Sequence, residues 1–501
     1  MVTNMNRLLA LSCALLALAL PLPAWPDALF PPPLYPDASN ASPLAPIKLN
    51  MPLSKLRRAA AAAKTNNPRL NPVMTSPPVV TAAAKWTAST GYLLNEYAIN
   101  GSKRYQVSVA GTSAASGGPT CSSGTCVDNT ITWTFIDDLG TAAFSGAGVN
   151  SYLWNGGAGA NKEVFNYYGG VRTNDGGTSY ARMMSATIAS TLTGELARVE
   201  FIADSAKFVI RLFEINTSGQ TRIIVNGQYA SLTALSPPHS GWDYIVVDFT
   251  GAGGRAARDI IWEGAGGVEL FGGVDVGATE GLYKPGGDTI ISAAITGDSY
   301  SASGGIAIPA NGLHNVMADW LGIRNVEGTA IGATGLLVAN ASGTAITRLS
   351  DITNFAPDIV FMMLGSNDTA FTQLQITNAA IAYVQALRAA AATAKAPIFM
   401  FGTWPHNSTG APRTAYQNAE TALQAAATSL ADPLLFFIPI INDPNGAWQT
   451  GTGDDGAPAG NGNSDLYITA SDHLHPNTAG HAFLGQRAAD AVLRAITAAG
   501  Y

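Results

Sequence analysis

Three rhythms of apolar and polar positions follow one another along the chain. From Arg198 to Ile215, "RVEFIADSAKFVIRLFEI", apolar and polar residues alternate, as in Phe208, Ile210 and Leu212. "TRIIVNGQ", "DYIVVDF" and "RDIIWEG" repeat the theme at short intervals, separated by Gly and Pro. That spacing predicts an all-β sandwich over residues 140–287. From residue 288 the rhythm changes. Apolar runs at Thr289–Thr296, Ile323–Val326, Asp358–Leu364, Ala396–Gly402 and Leu434–Ile441 read as strands. Ala-rich stretches near Gly312–Leu321, Ile376–Ala394, Arg413–Leu430 and Thr478–Thr497 read as helices between them; in the first, Leu313, Val316, Met317, Trp320 and Leu321 share one face. This alternation predicts a three-layer α/β domain with a parallel sheet over 288–501. The third rhythm, Lys85–Phe135, alternates aromatic and polar residues between frequent turns and predicts a small β-module over 85–137.

The N-terminus reads as an export signal. Arg7 precedes the apolar run Leu8–Leu20, and Pro21-Leu22-Pro23-Ala24 follows. The expected signal is 1–24, with Ala28 as an alternative cleavage point. The run is too short for a comfortable membrane span, so a secreted or periplasmic protein without a stable membrane anchor is expected. Residues 25–84 are rich in Pro, Ala and Asn and read as a spacer, with one short helix at "SKLRRAAAAAK" from Ser54. Beyond the signal only Cys121 and Cys126 remain, and two close cysteines in an exported chain are expected to pair.

Composition narrows the partners. Charged residues are 12% of 501, about half the usual share. The formal charge of -7 comes with no basic cluster, which argues against nucleic acid. Oligomeric state is not legible.

The candidate chemistry gathers at one sheet edge. In open α/β sheets ligands sit at the carboxyl ends of the strands. "AAITGDSYSASGG" places Ser299 after the first strand, "GTAIGATG" places Gly332 after the second, and "MMLGSNDTA" places Asn367 after the third. "ITASDHLHPNTAGH" places Asp472 and His475 on a loop before the last helix. A serine nucleophile needs a base, and the imidazole needs a carboxylate to fix its tautomer. The Ser299 and Gly332 N–H groups and the Asn367 amide are candidate oxyanion donors. His473 reads as a bystander and His481 as packing on the final helix. Trp404, in "FGTWPHN", either lines the acyl pocket or covers the sheet edge.

This ordered set, "GDSY", "IGAT", "GSND" and "DHLHP", resembles the SGNH, or GDSL, hydrolase superfamily over Thr289–Tyr501, with Tyr300 where Leu is common. The resemblance implies Ser299 as nucleophile, Gly332 and Asn367 as oxyanion donors, His475 as base and Asp472 as its partner, with no metal or organic cofactor. A β-sandwich ahead of such a domain resembles secreted two-domain carbohydrate esterases, which points to acetyl groups on polysaccharide. Lipid, aryl or polyester substrates, an O-acetyltransferase using the same triad, and a non-catalytic adhesion protein are the alternatives. The segment 85–137 resembles small carbohydrate-binding or phage-tail β-modules, in which Trp86, Tyr92, Tyr105 and Trp133 either stack on sugars or form the module's core. The core reading is favoured, because a small domain needs its aromatics inside.

Overall fold

The computed structural model describes residues 51–71, 73–139, 149–153, 162–170, 172–175, 180–183, 196–236, 238–265, 268–286, 290–405 and 413–501. The expected signal, 1–24, and the first part of the expected spacer lie outside them.

In the C-terminal domain the sequence pattern and the fold coincide closely. Five parallel strands lie in the order Asn325–Gly328, Ser292–Gly297, Ile359–Met363, Ile398–Phe401, Leu435–Ile438. Helices Leu313–Leu321 and Thr478–Ala498 pack together, and Gln373–Ala389 packs with Arg413–Leu430. Two apolar clusters separate the layers: Ile295, Phe361, Phe399 and Leu321 on one side, Val360, Ile398, Leu387 and Leu423 on the other. The first strand stands second from the edge, so the chain turns one way after the first strand and the other way before the third. Such a switch point opens a crevice at the carboxyl ends of these two strands.

The β-rich half is a sandwich whose inner faces meet at Val199, Phe201, Phe208, Ile210, Val247, Ile260 and Trp262. Among the described residues, one sheet has six strands. The other has eleven, and it does not stop at the expected boundary between module and sandwich. Val79–Lys85 pairs antiparallel with Gly241–Asp248 and parallel with Tyr97–Asn100, which joins the strands of 97–138 to the sandwich. Tyr92, Tyr105 and Trp133 are buried in a cluster of their own, with Trp86 packed against it. This is the core reading of those aromatics. Cys121 and Cys126 form a disulfide beside this cluster, with Cα atoms 5.9 Å apart.

The spacer reading needs correction over its second half. The expected helix forms, as Met51–Asn66, but it is not a free linker. Leu53, Leu56 and Ala60 enter the core of the C-terminal domain. The approach is close enough that a Cβ on Gly322 would stand 2.3 Å from the Ala59 carbonyl oxygen. Val79–Lys85, also inside 25–84, is the strand that joins the two parts of the large sheet.

A buried ionic network locks sandwich to C-terminal domain. Asp319, on helix Leu313–Leu321, accepts hydrogen bonds from Arg198 Nη1 and Arg69 Nε, both at 2.7 Å. Arg198 Nε donates on to Glu263, whose other oxygen accepts from Arg222 Nε. Burial works against the Asp319 carboxylate, but the two guanidinium groups hold it below its ordinary range. Removing one partner from such a network typically costs about 3–5 kcal/mol, because an uncompensated charge stays buried.

Candidate active site

Strand Ser292–Gly297 is buried along most of its length and ends where only glycine fits. A Cβ on Gly297 would lie 2.4 Å from Ser301 Oγ and 2.9 Å from the Met363 carbonyl oxygen. The chain then turns sharply. Asp298 Oδ1 accepts from the Tyr300 amide, and the Gly304 amide donates to the Ser299 carbonyl at 2.8 Å. Ser299 sits on this turn, half-buried, above the sheet edge. Asp298 itself is buried beneath it; desolvation pushes its carboxyl up to about 7.

Two loops close around the serine. A Cβ on Gly332 would stand 3.5 Å from Ser299 Cβ, so this backbone passes directly beside the candidate nucleophile. The loop is held from below by Asp368, whose carboxylate accepts from the amides of Leu336, Leu337 and Val338 at 2.8–2.9 Å. It is held from the side by Asn367, which donates to the Thr334 carbonyl at 2.9 Å. Both residues lie on the short turn Ser366–Asp368 that follows the third strand.

The second loop carries the candidate base, His475. His475 Nδ1 is 2.7 Å from Asp472 Oδ2, while Asp472 Oδ1 accepts from the Leu474 and His475 amides at 2.9 Å. Burial opposes the charge on Asp472, but these hydrogen bonds keep its carboxyl below the ordinary range. With an ionised carboxylate accepting at Nδ1, the imidazole carries its proton there and leaves Nε2 as a lone pair. Nε2 is buried and has no hydrogen-bond partner among the described residues. It lies against the serine turn: a Cβ on Gly304 would be 3.0 Å from Nε2 and 2.9 Å from the Ser299 carbonyl oxygen. Thus Ser299, Gly332, Asn367, Asp472 and His475, separated by up to 176 positions in sequence, converge on one edge.

Several supports carry no sequence signal. Tyr300 OH donates to the Leu474 carbonyl at 2.8 Å, and its ring lies 5.8 Å from that of His475. His481 is fully buried: Nδ1 accepts from the Leu313 amide, and Nε2 lies 2.8 Å from the Gly304 carbonyl. A neutral ring with its proton on Nε2 satisfies both contacts, and burial pushes its pKa down to about 4. His481 therefore does more than pack on the final helix; it pins the end of the serine turn. Trp404 is a correction. It is fully buried, stacked on Tyr300 at 5.6 Å and edge-on to Trp448, with no surface left to line an acyl pocket. An aromatic residue after a strand marks the sheet edge, but packing decides whether it is covered.

Residues 295–483 match the model of the GDSL-like lipase/acylhydrolase family. This region is a GDSL-like acylhydrolase domain. The protein is accordingly a carboxylic ester hydrolase, with the α/β domain and preceding β-sandwich described above. No curated protein matches the chain. Among solved structures, the salicylyl-acyltransferase SsfX3 from a tetracycline biosynthetic pathway is 14% identical, covering 70% of this chain and 97% of its own, with a TM-score of 0.50. At that identity the likeness is one of fold. The acetyl xylan esterase Est2A from the rumen bacterium Butyrivibrio proteoclasticus (12% identical, 69% of this chain and 98% of its own) and a family two carbohydrate esterase from Clostridium thermocellum in complex with cellohexaose (16%, 64% and 96%) each have a TM-score of 0.46. Among the described residues, no helix of the acylhydrolase domain or the sandwich is long and apolar enough to cross a membrane.

Proposed function

We propose that the protein is an exported serine esterase that removes acyl groups, acetyl foremost, from polysaccharide. The observation that carries the chemistry is the placement of His475 between Asp472 and the Ser299 turn, with Nε2 buried and unpartnered against that turn. Ser299 Oγ attacks the ester carbonyl as His475 Nε2 takes its proton. The oxyanion is held by the Ser299 and Gly332 N–H groups and by the Asn367 amide, whose carboxamide keeps one N–H beyond its bond to Thr334. The tetrahedral intermediate expels the alcohol, which leaves with the proton from His475. Water, deprotonated by the same imidazole, then releases the acid and restores Ser299. Asp472 stays ionised throughout and stabilises the imidazolium.

The polysaccharide assignment rests on layout: an export signal and a β-sandwich ahead of the acylhydrolase domain. In this reading 288–501 does the chemistry, while 140–287 and 85–137 stabilise the domain and set where it works. The test is an acetate-release screen over acetylated xylan, mannan, pectin and peptidoglycan, with triacylglycerols and polyesters alongside. Wild type is expected to release acetate from at least one polysaccharide, and the Ser299→Ala variant from none. Preference for triacylglycerol or polyester would remove the polysaccharide assignment and keep the esterase. Acyl transfer to an added sugar in place of acetate release would make the protein a transferase.

A further inference from the structure

The loop beside Ser299 runs through three successive peptide units, each anchored by a different group. The Ile331 amide donates to the Gly297 carbonyl at 3.1 Å, at the end of the strand that leads into Ser299. The Gly332 carbonyl accepts from Asn340 Nδ2 at 3.0 Å. Between them lies the Ile331–Gly332 unit, whose N–H is a candidate oxyanion donor. Its carbonyl, on Ile331, accepts from Thr334 Oγ1 at 2.7 Å, and no other donor reaches it among the described residues. The Gly332 N–H has no acceptor among those residues. Thr334 itself is fully buried.

A trans peptide is planar, with its C=O and N–H pointing in opposite directions. Fixing the Ile331 carbonyl therefore fixes the direction of the Gly332 N–H. The anchor matters at this position because glycine leaves the unit free to rotate, and Ala333 follows in the left-handed region at φ +57°. A hydrogen bond accepted by the carbonyl also polarises the unit and strengthens its N–H as a donor. Thr334 acts on a second candidate donor through its backbone. Its carbonyl accepts from Asn367 Nδ2 at 2.9 Å. The two N–H bonds of a carboxamide diverge in one plane, so holding one aims the other.

We propose that Thr334 is a positioning residue for the ester chemistry: its hydroxyl and its carbonyl together aim the Gly332 and Asn367 donors at the developing oxyanion. The inference rests on the esterase reading given above. Thr334 acts through Ile331 and Asn367, not on the substrate. A side chain of the same shape without the hydroxyl fills the same space and leaves the Ile331–Gly332 unit free to turn. A hydroxyl that served only the interior would change stability and leave turnover per folded molecule untouched.

The test compares Thr334→Val, which keeps the shape and loses the hydroxyl, with Thr334→Ser, which keeps the hydroxyl. Both leave the Asp368, Asn340 and Gly297 contacts of the loop in place. In the full-length protein, kcat and KM on an aryl acetate are measured per competent site, counted from the nitrophenol released in a paraoxon burst. Inhibition by phenylboronic acid is measured alongside. There Ser299 Oγ gives an electron pair to the trigonal boron, His475 takes the hydroxyl proton, and one boron-bound oxygen stands where the oxyanion would. Thr334→Val is expected to lower kcat roughly tenfold to a hundredfold, less than the loss of a whole donor, with KM nearly unchanged and boronate inhibition weakened by a similar factor. Thr334→Ser is expected to stay within about threefold of wild type, because the hydroxyl bond is kept. Wild-type kcat per competent site in Thr334→Val, equal impairment of the two variants, or unchanged boronate inhibition beside a fallen kcat would each overturn the proposal. Ser299→Ala, assayed in parallel, separates this outcome from the esterase reading. If Ser299→Ala stays active, that reading fails; if it is inactive while Thr334→Val matches wild type, only the role of Thr334 fails.

Discussion

Two histidines, two residues apart on the loop before the last helix, each pair with an aspartate. His475 Nδ1 is 2.7 Å from Asp472, and His473 Nδ1 is 2.7 Å from Asp454. The pair geometry is the same, and both carboxyls are held low, each by hydrogen bonds from its imidazole and nearby amides; for Asp454 the bond from His473 is the largest cause. The surroundings differ. The His475 side chain is 17% exposed and its free nitrogen is buried against the serine turn. The His473 side chain is 54% exposed, and its backbone sits at φ +57°. A histidine with a carboxylate is therefore not yet a catalytic base. What distinguishes His475 is a second ring nitrogen buried against the turn that carries Ser299, with no hydrogen-bond partner among the described residues.

The sharpest way to break the comparison is to remove the pair that faces Ser299. His475→Gln, like Ser299→Ala, is expected to lower kcat on an aryl acetate by roughly a thousandfold or more, with the circular dichroism spectrum unchanged. Asp472→Asn is a subtler case. The Asn carbonyl can still receive the Leu474 and His475 amides, which turns its NH2 toward Nδ1. The imidazole then accepts there and carries its proton on Nε2, the wrong tautomer to take one from Ser299. A loss of roughly a hundredfold to ten-thousandfold in kcat follows. Near-normal turnover in either variant would mean that the base lies elsewhere. With its lowered pKa, Asp472 stays ionised as pH falls to the ordinary carboxylate range. Its contribution to loop stability is lost only when pH drops through that lowered value, so acid loss of activity above it is not due to this group.

Much of this arrangement is legible in the sequence, for a physical reason. Residues at the ends of successive parallel strands share an edge by construction, so Ser299, Gly332 and Asn367 are placed by the βαβ rhythm itself. His475 and Asp472 are three apart on one loop and need only the final helix to dock. What sequence does not show are contacts made through backbone atoms of distant segments: His481 to the Gly304 carbonyl, Tyr300 to the Leu474 carbonyl, Asp368 to three amides of the Gly332 loop. A carbonyl or amide is present at every position, so no residue type announces the partner. The helix Met51–Asn66 is expected from the sequence, but its docking is not. Its buried residues are Leu53 and Leu56 with Ala60 and Ala63, which keeps the apolar stripe faint, and its context is rich in proline. The joining strand Val79–Lys85 is likewise too alanine-rich to separate from its surroundings.

Tyr300 sharpens the comparison, because it ties only one of the two pairs to the serine turn. Its hydroxyl donates to the carbonyl of Leu474, between the two histidines, and its ring lies beside His475 and stacks on Trp404. Tyr300→Phe keeps the ring and loses the bond. A neutral hydrogen bond contributes about 1 kcal/mol, so a several-fold fall in kcat with unchanged KM is expected. Tyr300→Leu, which restores the residue common in this motif, also loses the stack on Trp404 and is expected to fall further. If Phe and Leu variants are equally impaired, the ring is dispensable and the hydroxyl alone positions the loop.

The smallest effect is expected at the other pair, and it is the control that gives the larger ones meaning. His473 and Asp454 link the base loop to the segment after strand Leu435–Ile438, where Asp454 also accepts from the Gly456 and Ala457 amides. His473→Ala removes one hydrogen-bonded pair whose imidazole is half-exposed, a small loss in stability. Asp454 keeps its two amide bonds, and the Asp472–His475 geometry rests on hydrogen bonds from the Leu474 and His475 amides and on Tyr300 rather than on the His473 imidazole. Histidine adopts the left-handed backbone found at 473 more readily than alanine does, so the change adds a little local strain. Turnover of an aryl acetate is therefore expected to stay within roughly twofold of wild type, with a small fall in Tm. A thousandfold loss at His473 beside a mild loss at His475 would reverse the assignment of the two pairs, and side-by-side kinetics of His473→Ala and His475→Gln decide it.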